Sequence, residues 1–237
     1  MGSLPVHTVV LRWFRTHKRD LPWRAPDVTP WQVLVSEIML QQTPAARVVP
    51  AWSSWIGRWP DPISLAHAKP AAVLRQWDRL GYPSRALRLQ QTAQRVVNDH
   101  GGQLPANYQA LIALPGIGDY TASAVLAFAF KRRSVVLDTN IRRVIARVWH
   151  GQERAPQGIS VAEREFTAGL VPAQHARAAE WSEAIMELGA TVCTMRSPSC
   201  QTCVLSDICQ WRAKGFPRSR GTRKSQRFEG TDRQVRG

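Results

Sequence analysis

Apolar residues recur at helical spacing along most of the chain. Val6, Val9, Val10 and Trp13 fall at i, i+3, i+4 and i+7, one face of a helix. Ile141, Val144, Ile145 and Val148 repeat that spacing, and so do Trp181, Ala184, Ile185 and Leu188. Sustained period-two alternation is missing, so the pattern predicts no sheet. Pro and Gly punctuate it at Pro22, Pro30, Pro50, Pro60, Pro62, Pro70, Gly81, Pro83, Gly101, Pro105, Pro115 to Gly118, and Pro172. About ten short helices with short connections follow. The apolar stripes themselves read as core.

Charge changes the picture. Among 237 residues, 32 are Lys or Arg and 17 are Asp or Glu, a formal net charge of +15. A chain this basic points to a polyanion, most often nucleic acid. Nine basic and two acidic residues lie in 210–237, a net +7 that leaves +8 on 1–209. The 210–237 stretch is rich in Arg, Ser and Gly and reads as a basic, disordered tail. No apolar run approaches the roughly 18 residues that span a bilayer. Residues 1–16 lack a signal-peptide pattern. Together these predict a cytoplasmic, nucleoid-associated protein with no membrane partner, and a reducing setting that argues against disulfides.

All four cysteines fall in one loop, as Cys193-x6-Cys200-x2-Cys203-x5-Cys209. Four thiolates so close in sequence can converge on one metal centre. Structural zinc favours two CxxC pairs, and only one is present. A [4Fe–4S] cluster needs four thiolates and tolerates irregular loops. Spacing alone leaves both open.

Leu114-Pro115-Gly116-Ile117-Gly118-Asp119-Tyr120 lies between two helical patterns. Its glycines allow a tight turn, and the helix that follows offers free amides to a phosphate. Asp119 is placed to cap that helix. A plain interhelical turn is the simpler reading.

Two carboxylates sit in apolar settings. Glu37 lies in Val33-Leu34-Val35-Ser36-Glu37-Ile38-Met39-Leu40, where burial would raise its pKa and keep it a proton donor. Asp138 lies in Val135-Val136-Leu137-Asp138-Thr139-Asn140, just before a helix, where an N-cap is the simpler role. Taken alone, Glu37 also reads as a helix-surface carboxylate, Tyr82 as a core or turn aromatic, and Arg85 as a solvated surface charge.

Ser36-Glu37-Ile38-Met39-Leu40-Gln41-Gln42-Thr43 is similar to the motif of MutY-type adenine DNA glycosylases, within the endonuclease III-like superfamily. Leu-Pro-Gly-Ile-Gly resembles that group's helix-hairpin-helix, and the cysteine spacing resembles its cluster loop. The resemblance runs from about Arg19 to Cys209. It implies an all-α, two-lobed helix-hairpin-helix fold with a C-terminal iron–sulfur loop. Residues 1–26 and 136–209 would form the cluster domain, 27–135 a six-helix domain, and 210–237 the tail.

The same resemblance implies the chemistry. Glu37 would protonate adenine at N7, and Asp138, with Asn140, would stabilise the cationic sugar. Arg19, Trp23, Arg24, Leu40 and Glu183 would line the base pocket. Gln41, Gln42, Thr43, Leu80, Tyr82, Gly116, Gly118 and Arg196 would meet DNA. Cys193, Cys200, Cys203 and Cys209 would hold a [4Fe–4S] cluster. Endonuclease III-like enzymes carry a Lys where this chain has Tyr120, so the resemblance implies a monofunctional, monomeric enzyme. Its partner would be double-stranded DNA with adenine mispaired with 8-oxoguanine or guanine. Family members usually carry a further domain that reads 8-oxoguanine, and only 210–237 follows the cluster loop here. Adenine removal is therefore the firmer expectation. Two other readings compete: a thymine/uracil mismatch glycosylase of the same superfamily, and a non-catalytic, zinc-stapled DNA-binding module.

Overall fold

The computed structural model describes residues 5–219. Twelve α-helices and four 3-10 turns make up this region, and no strand occurs among the described residues. None of these helices is long and apolar enough to cross a membrane. The segment 210–237 was expected to be disordered throughout. Gln210–Ala213 is instead a helix whose Trp211 is buried, and folded chain continues to Ser219. Residues 220–237 lie outside the described residues.

The helices are α1 (Val6–His17), α2 (Pro30–Leu40), α3 (Ala45–Arg58), α4 (Pro62–Ala66), α5 (Pro70–Trp77), α6 (Ser84–His100), α7 (Tyr108–Ile112), α8 (Asp119–Phe128), α9 (Thr139–Val148), α10 (Val161–Leu170), α11 (His175–Thr191) and α12 (Gln210–Ala213). Seven of them, α2 to α8, fall in 27–135, where six were expected. Two of the seven, α4 and α7, are only five residues long.

Local chemistry explains the helix starts. Thr29 caps α2 in a reciprocal box with Gln32, and Pro30 occupies the first turn, where its missing amide is harmless. Asn107, Asp138 and Ser160 cap α7, α9 and α10 through their side chains. Pro50 was expected to break the chain but lies inside α3. Val48, Trp52 and Trp55 of that helix are all buried, and this packing carries it through the proline.

Two apolar clusters form the core. The first gathers Trp23, Trp31, Trp52, Trp55, Trp59 and Trp77 with residues of α2 to α8. Trp55 meets Trp59 and Trp77 edge to face, with ring centroids 4.8 and 5.5 Å apart. The second joins α1, α9 and α11 to Cys193 and Leu205. Leu21 and Trp23 belong to the first cluster, not to the unit containing 1–26 that the sequence suggested.

Helix α8 serves both clusters. Ala122, Val125 and Leu126 pack into the first, and Ala124 and Ala127 into the second. This is why Thr121 to Ala127 are all buried and the helix has no polar face. Its N-terminal turn is left to carry the polar groups.

Candidate active site

A cleft of about 940 Å³ opens where α2, α8, α9 and α11 approach one another. Arg19, Trp23, Arg24, Glu37, Leu40, Gln41, Gln42, Thr43, Tyr120, Asp138, Asn140 and Glu183 all line it. These residues span 165 positions of sequence, and the fold brings them to one wall. Leu80, Tyr82, Gly116, Gly118, Arg196 and the four cysteines lie elsewhere.

Glu37 sits in the third turn of α2 and is 5% exposed. Tyr120, in the first turn of α8, donates its hydroxyl proton to Glu37 Oε2 at 2.8 Å. Among the described residues no donor engages Oε1. Burial pushes the Glu37 carboxyl up to about 7; the Tyr120 hydrogen bond opposes this, and the charge of Asp138 adds to it. Burial and the neighbouring Glu37 also hold the Tyr120 phenol well above its ordinary value, so Tyr120 stays a donor.

Asp138 does fill the N-cap role, since its Oδ1 accepts from the Ile141 amide at 2.6 Å. Its Oδ2 accepts from Asn140 Nδ2 at 2.7 Å while Asp138 still lines the cleft. Cap and cleft residue are one group. Burial raises its carboxyl despite these donors. Asn140 Oδ1 in turn accepts from Arg143 Nη2 at 2.6 Å, and Arg143 Nε donates to the Cys193 carbonyl at 2.7 Å. A hydrogen-bonded path thus joins Asp138 to the cysteine loop.

Arg19 and Arg24 meet at Glu187, a fully buried carboxylate, with ion-pair distances of 2.6 and 2.9 Å. Burial alone would raise Glu187, but the two guanidinium groups overcome it and hold the carboxyl below its ordinary range. Lys131 closes on Glu183 at 3.1 Å.

Gln42 and Tyr82 have φ of +56° and +49°, the left-handed region that side chains seldom occupy. Such strain costs about 1–3 kcal/mol per residue and tends to collect at functional sites. Tyr82 is 63% exposed, so it is not a core aromatic. Leu80 is buried in the first cluster, and only its carbonyl reaches the neighbouring loop, where Thr43 donates to it at 3.4 Å. Thr43 is buried as well.

At the hairpin, Gly116 has φ +76°, and a Cβ there would lie 3.1 Å from Arg88 Cβ. Gly118 is the N-cap of α8 and has open space around it. Asp119 does not cap the helix. Its carboxylate accepts from Arg164 at 2.7 Å and from the Tyr108 hydroxyl at 2.8 Å. Those partners offset its charge beside the free amides of the first turn.

The four cysteines are free thiols lining one small cavity with Arg147 and Trp211. Arg147 Nη1 lies 3.4 Å from Cys193 Sγ and its guanidinium stacks over Trp211 at 4.5 Å. Among the described residues no three His, Cys, Asp or Glu side chains are grouped to hold a single ion. All four thiols face this one cavity. Arg196 is exposed on the loop between Cys193 and Cys200.

Residues 35–166 match the family described as HhH-GPD superfamily base excision DNA repair protein. The chain belongs to the HhH-GPD superfamily. A Mycobacterium tuberculosis protein named adenine DNA glycosylase is 51% identical over 232 residues, covering 97% of this chain and 75% of its own length. A human protein of the same name is 38% identical over 213 residues, covering 86% of this chain and 39% of its own length. A solved structure described as a thermostable thymine-DNA glycosylase superposes with a TM-score of 0.78 at 29% identity, covering 88% of this chain and 95% of its own.

Within this superfamily fold, four residues of the site had no signal of their own in the sequence reading. Glu187 sits beside the buried stripe of α11, and a carboxylate there requires a cation. Its partners lie 163 and 168 positions upstream. Arg143 lies next to Val144 in α9 and donates mostly to backbone carbonyls. Gly189 packs so tightly on α9 that a Cβ would come within 2.7 Å of Asn140 Cβ. Lys131 stands outside any motif.

The raised Glu37 value sets a stability test. Below about 4.5 the carboxyl is protonated in both folded and unfolded chains. Between 4.5 and about 7 only the folded chain keeps the proton, so stability falls as pH rises through that window. Above it the cost is on the order of 3 kcal/mol. Glu37→Gln removes that cost, so its Tm should exceed the parent's by roughly 6–12 °C at pH 8 and match it near pH 4.5. Thermal melts across pH check this; a gain that does not grow with pH contradicts the buried-acid assignment.

Proposed function

We propose that the chain is a monofunctional DNA N-glycosylase of base-excision repair that releases adenine mispaired with 8-oxoguanine or guanine. One observation carries the reading: Glu37, a buried acid with a value of about 7, faces a cleft with room for an extruded base beside Asp138 and is held by Tyr120. The likeness to proteins named adenine DNA glycosylase supports adenine as the base.

The chemistry follows from the side chains. An extruded adenine enters the cleft and takes the Glu37 proton at N7, through the oxygen that Tyr120 leaves free. The C1′–N9 pair departs with the base. The sugar is left as an oxocarbenium ion facing the Asp138 carboxylate. Water adds at C1′ and gives its proton to a carboxylate, which leaves an abasic site. Tyr120 offers a phenol and no amine, so no Schiff base forms at that position and the strand stays intact. Gln42 and Tyr82 wedge into the duplex, and the Gly116–Gly118 hairpin takes a backbone phosphate on its free amides. Arg19, Trp23, Arg24, Leu40 and Glu183 enclose the base.

Cys193, Cys200, Cys203 and Cys209 fit a [4Fe–4S] cluster as a donor set: four free thiols around one cavity. Bound there, the cluster would tie the loop to α9 and α12 and offer one-electron chemistry. No step of base removal uses it.

The single-turnover experiment is a panel of A:8-oxoguanine, A:G, T:G and U:G duplexes. Release of adenine is expected, with Glu37→Gln slower by at least roughly 10²-fold yet still binding DNA. Release of thymine or uracil instead would assign the chain to the mismatch-pyrimidine group. A Glu37→Gln variant of undiminished rate would remove Glu37 from the chemistry. Iron and acid-labile sulfide in equal amounts are expected in purified protein; zinc with neither would overturn the cluster.

A further inference from the structure

Arg85 reads from sequence as a solvated surface charge, and the structure overturns that. It lies in the first turn of α6 and is 9% exposed. Its Nη1 donates to the carbonyls of Ile38 and Met39 at 3.0 and 3.3 Å and to that of Gln41. Its Nη2 donates to the carbonyls of Leu80 and Gly81 at 2.9 and 3.1 Å and to Thr43 Oγ1 at 3.4 Å. The guanidinium centre lies 5.3 Å from the Trp77 ring and 5.6 Å from the Tyr82 ring.

No carboxylate of the described residues pairs with it. The anionic side of this site is the orphan carbonyls at the C-terminus of α2, where a helix favours a cation. The Arg85 partners lie in the last turns of α2 and in two loops, and no other arginine or lysine of the described residues joins these loops in this way. One carries Gln42 and the other carries Tyr82, and both residues are left-handed. The planar fork reaches both loops at once, which a point-charge ammonium does not. The Arg85 Nε has no partner, so the end of α2 and these two loops alone hold the buried cation, and the position of each loop depends on the other.

We infer that Arg85 is a positioning residue for base extrusion: it locks the Gln41–Thr43 and Leu80–Tyr82 loops in one relative geometry, so that Gln42 and Tyr82 enter a duplex together. The inference rests on the base-removal reading above and assigns Arg85 no contact with the reacting atoms. Loss of the clamp therefore impairs extrusion and leaves hydrolysis of an already extruded base in place.

The test compares two DNA substrates in single turnover with protein in excess, where the fitted rate does not depend on the active fraction. In one, adenine is paired with 8-oxoguanine. In the other, adenine lies opposite an abasic site and is already unpaired. Arg85→Lys, which keeps the charge, and Arg85→Gln, which keeps part of the hydrogen bonding, are both measured. The expected result is a loss of roughly 10²-fold on the paired adenine and less than about 3-fold on the unpaired one. The fluorescence rise of a 2-aminopurine beside the target should shrink in parallel on the paired duplex. Equal losses on the two substrates, or no loss on the paired one, overturn the inference and leave the base-removal reading standing. A parent protein that releases adenine from neither duplex overturns both.

Discussion

The hydrogen bond from Tyr120 to Glu37 Oε2 forms only because two separately built cores share a helix. Glu37 rides on α2 in the first core. Asp138 begins α9 in the second. Helix α8 is buried on every side between them, and its first turn delivers Tyr120 to the seam. A shift of α8 against either core would move the phenol away from the acid. The buried run Ala122 to Ala127 is thus the device that sets the geometry of a polar site, and the burial of Glu37 there lifts its carboxyl toward neutrality.

The charge of the chain and the charge of the site are arranged for different tasks. The formal excess is +15, yet the cleft gathers Glu37, Asp138 and Glu183. Cations at its rim are tied down: Arg19 and Arg24 to Glu187, Lys131 to Glu183, Arg142 to Glu163. They shape the wall and leave attraction of a polyanion to the rest of the surface. Asp119 follows the same logic at the hairpin, where Arg164 and Tyr108 hold its carboxylate. In the function proposed above, recognition at close range then falls to uncharged groups such as Gln42, Tyr82 and the amides at Gly118.

What was legible in the sequence was what local rules encode. The α9 stripe and its Asp138 cap, the α11 stripe, and the cysteine spacing all follow from periodicity or from ligand chemistry. Twelve of the candidate catalytic, pocket and DNA-contact residues line one cleft. Taken alone, Arg85 reads as a surface charge because its partners are carbonyls, which every residue has, so no complementary side chain marks it. Glu187 was missed because its cations stand more than 160 positions away. Pro50 failed as a breaker because three buried side chains of α3 outweigh one lost helix bond. Trp211 was the overlooked signal in the basic segment, since a large apolar ring needs a partner, and it finds Arg147 and Phe216.

The central claim is that Glu37 is a proton donor poised near neutrality, and the pH dependence of adenine release in single turnover tests it most directly. The protonated form is the active one. The rate should therefore be level below about pH 7 and fall close to tenfold per unit above it. A rate that stays flat or rises from pH 6 to pH 9 would contradict the account.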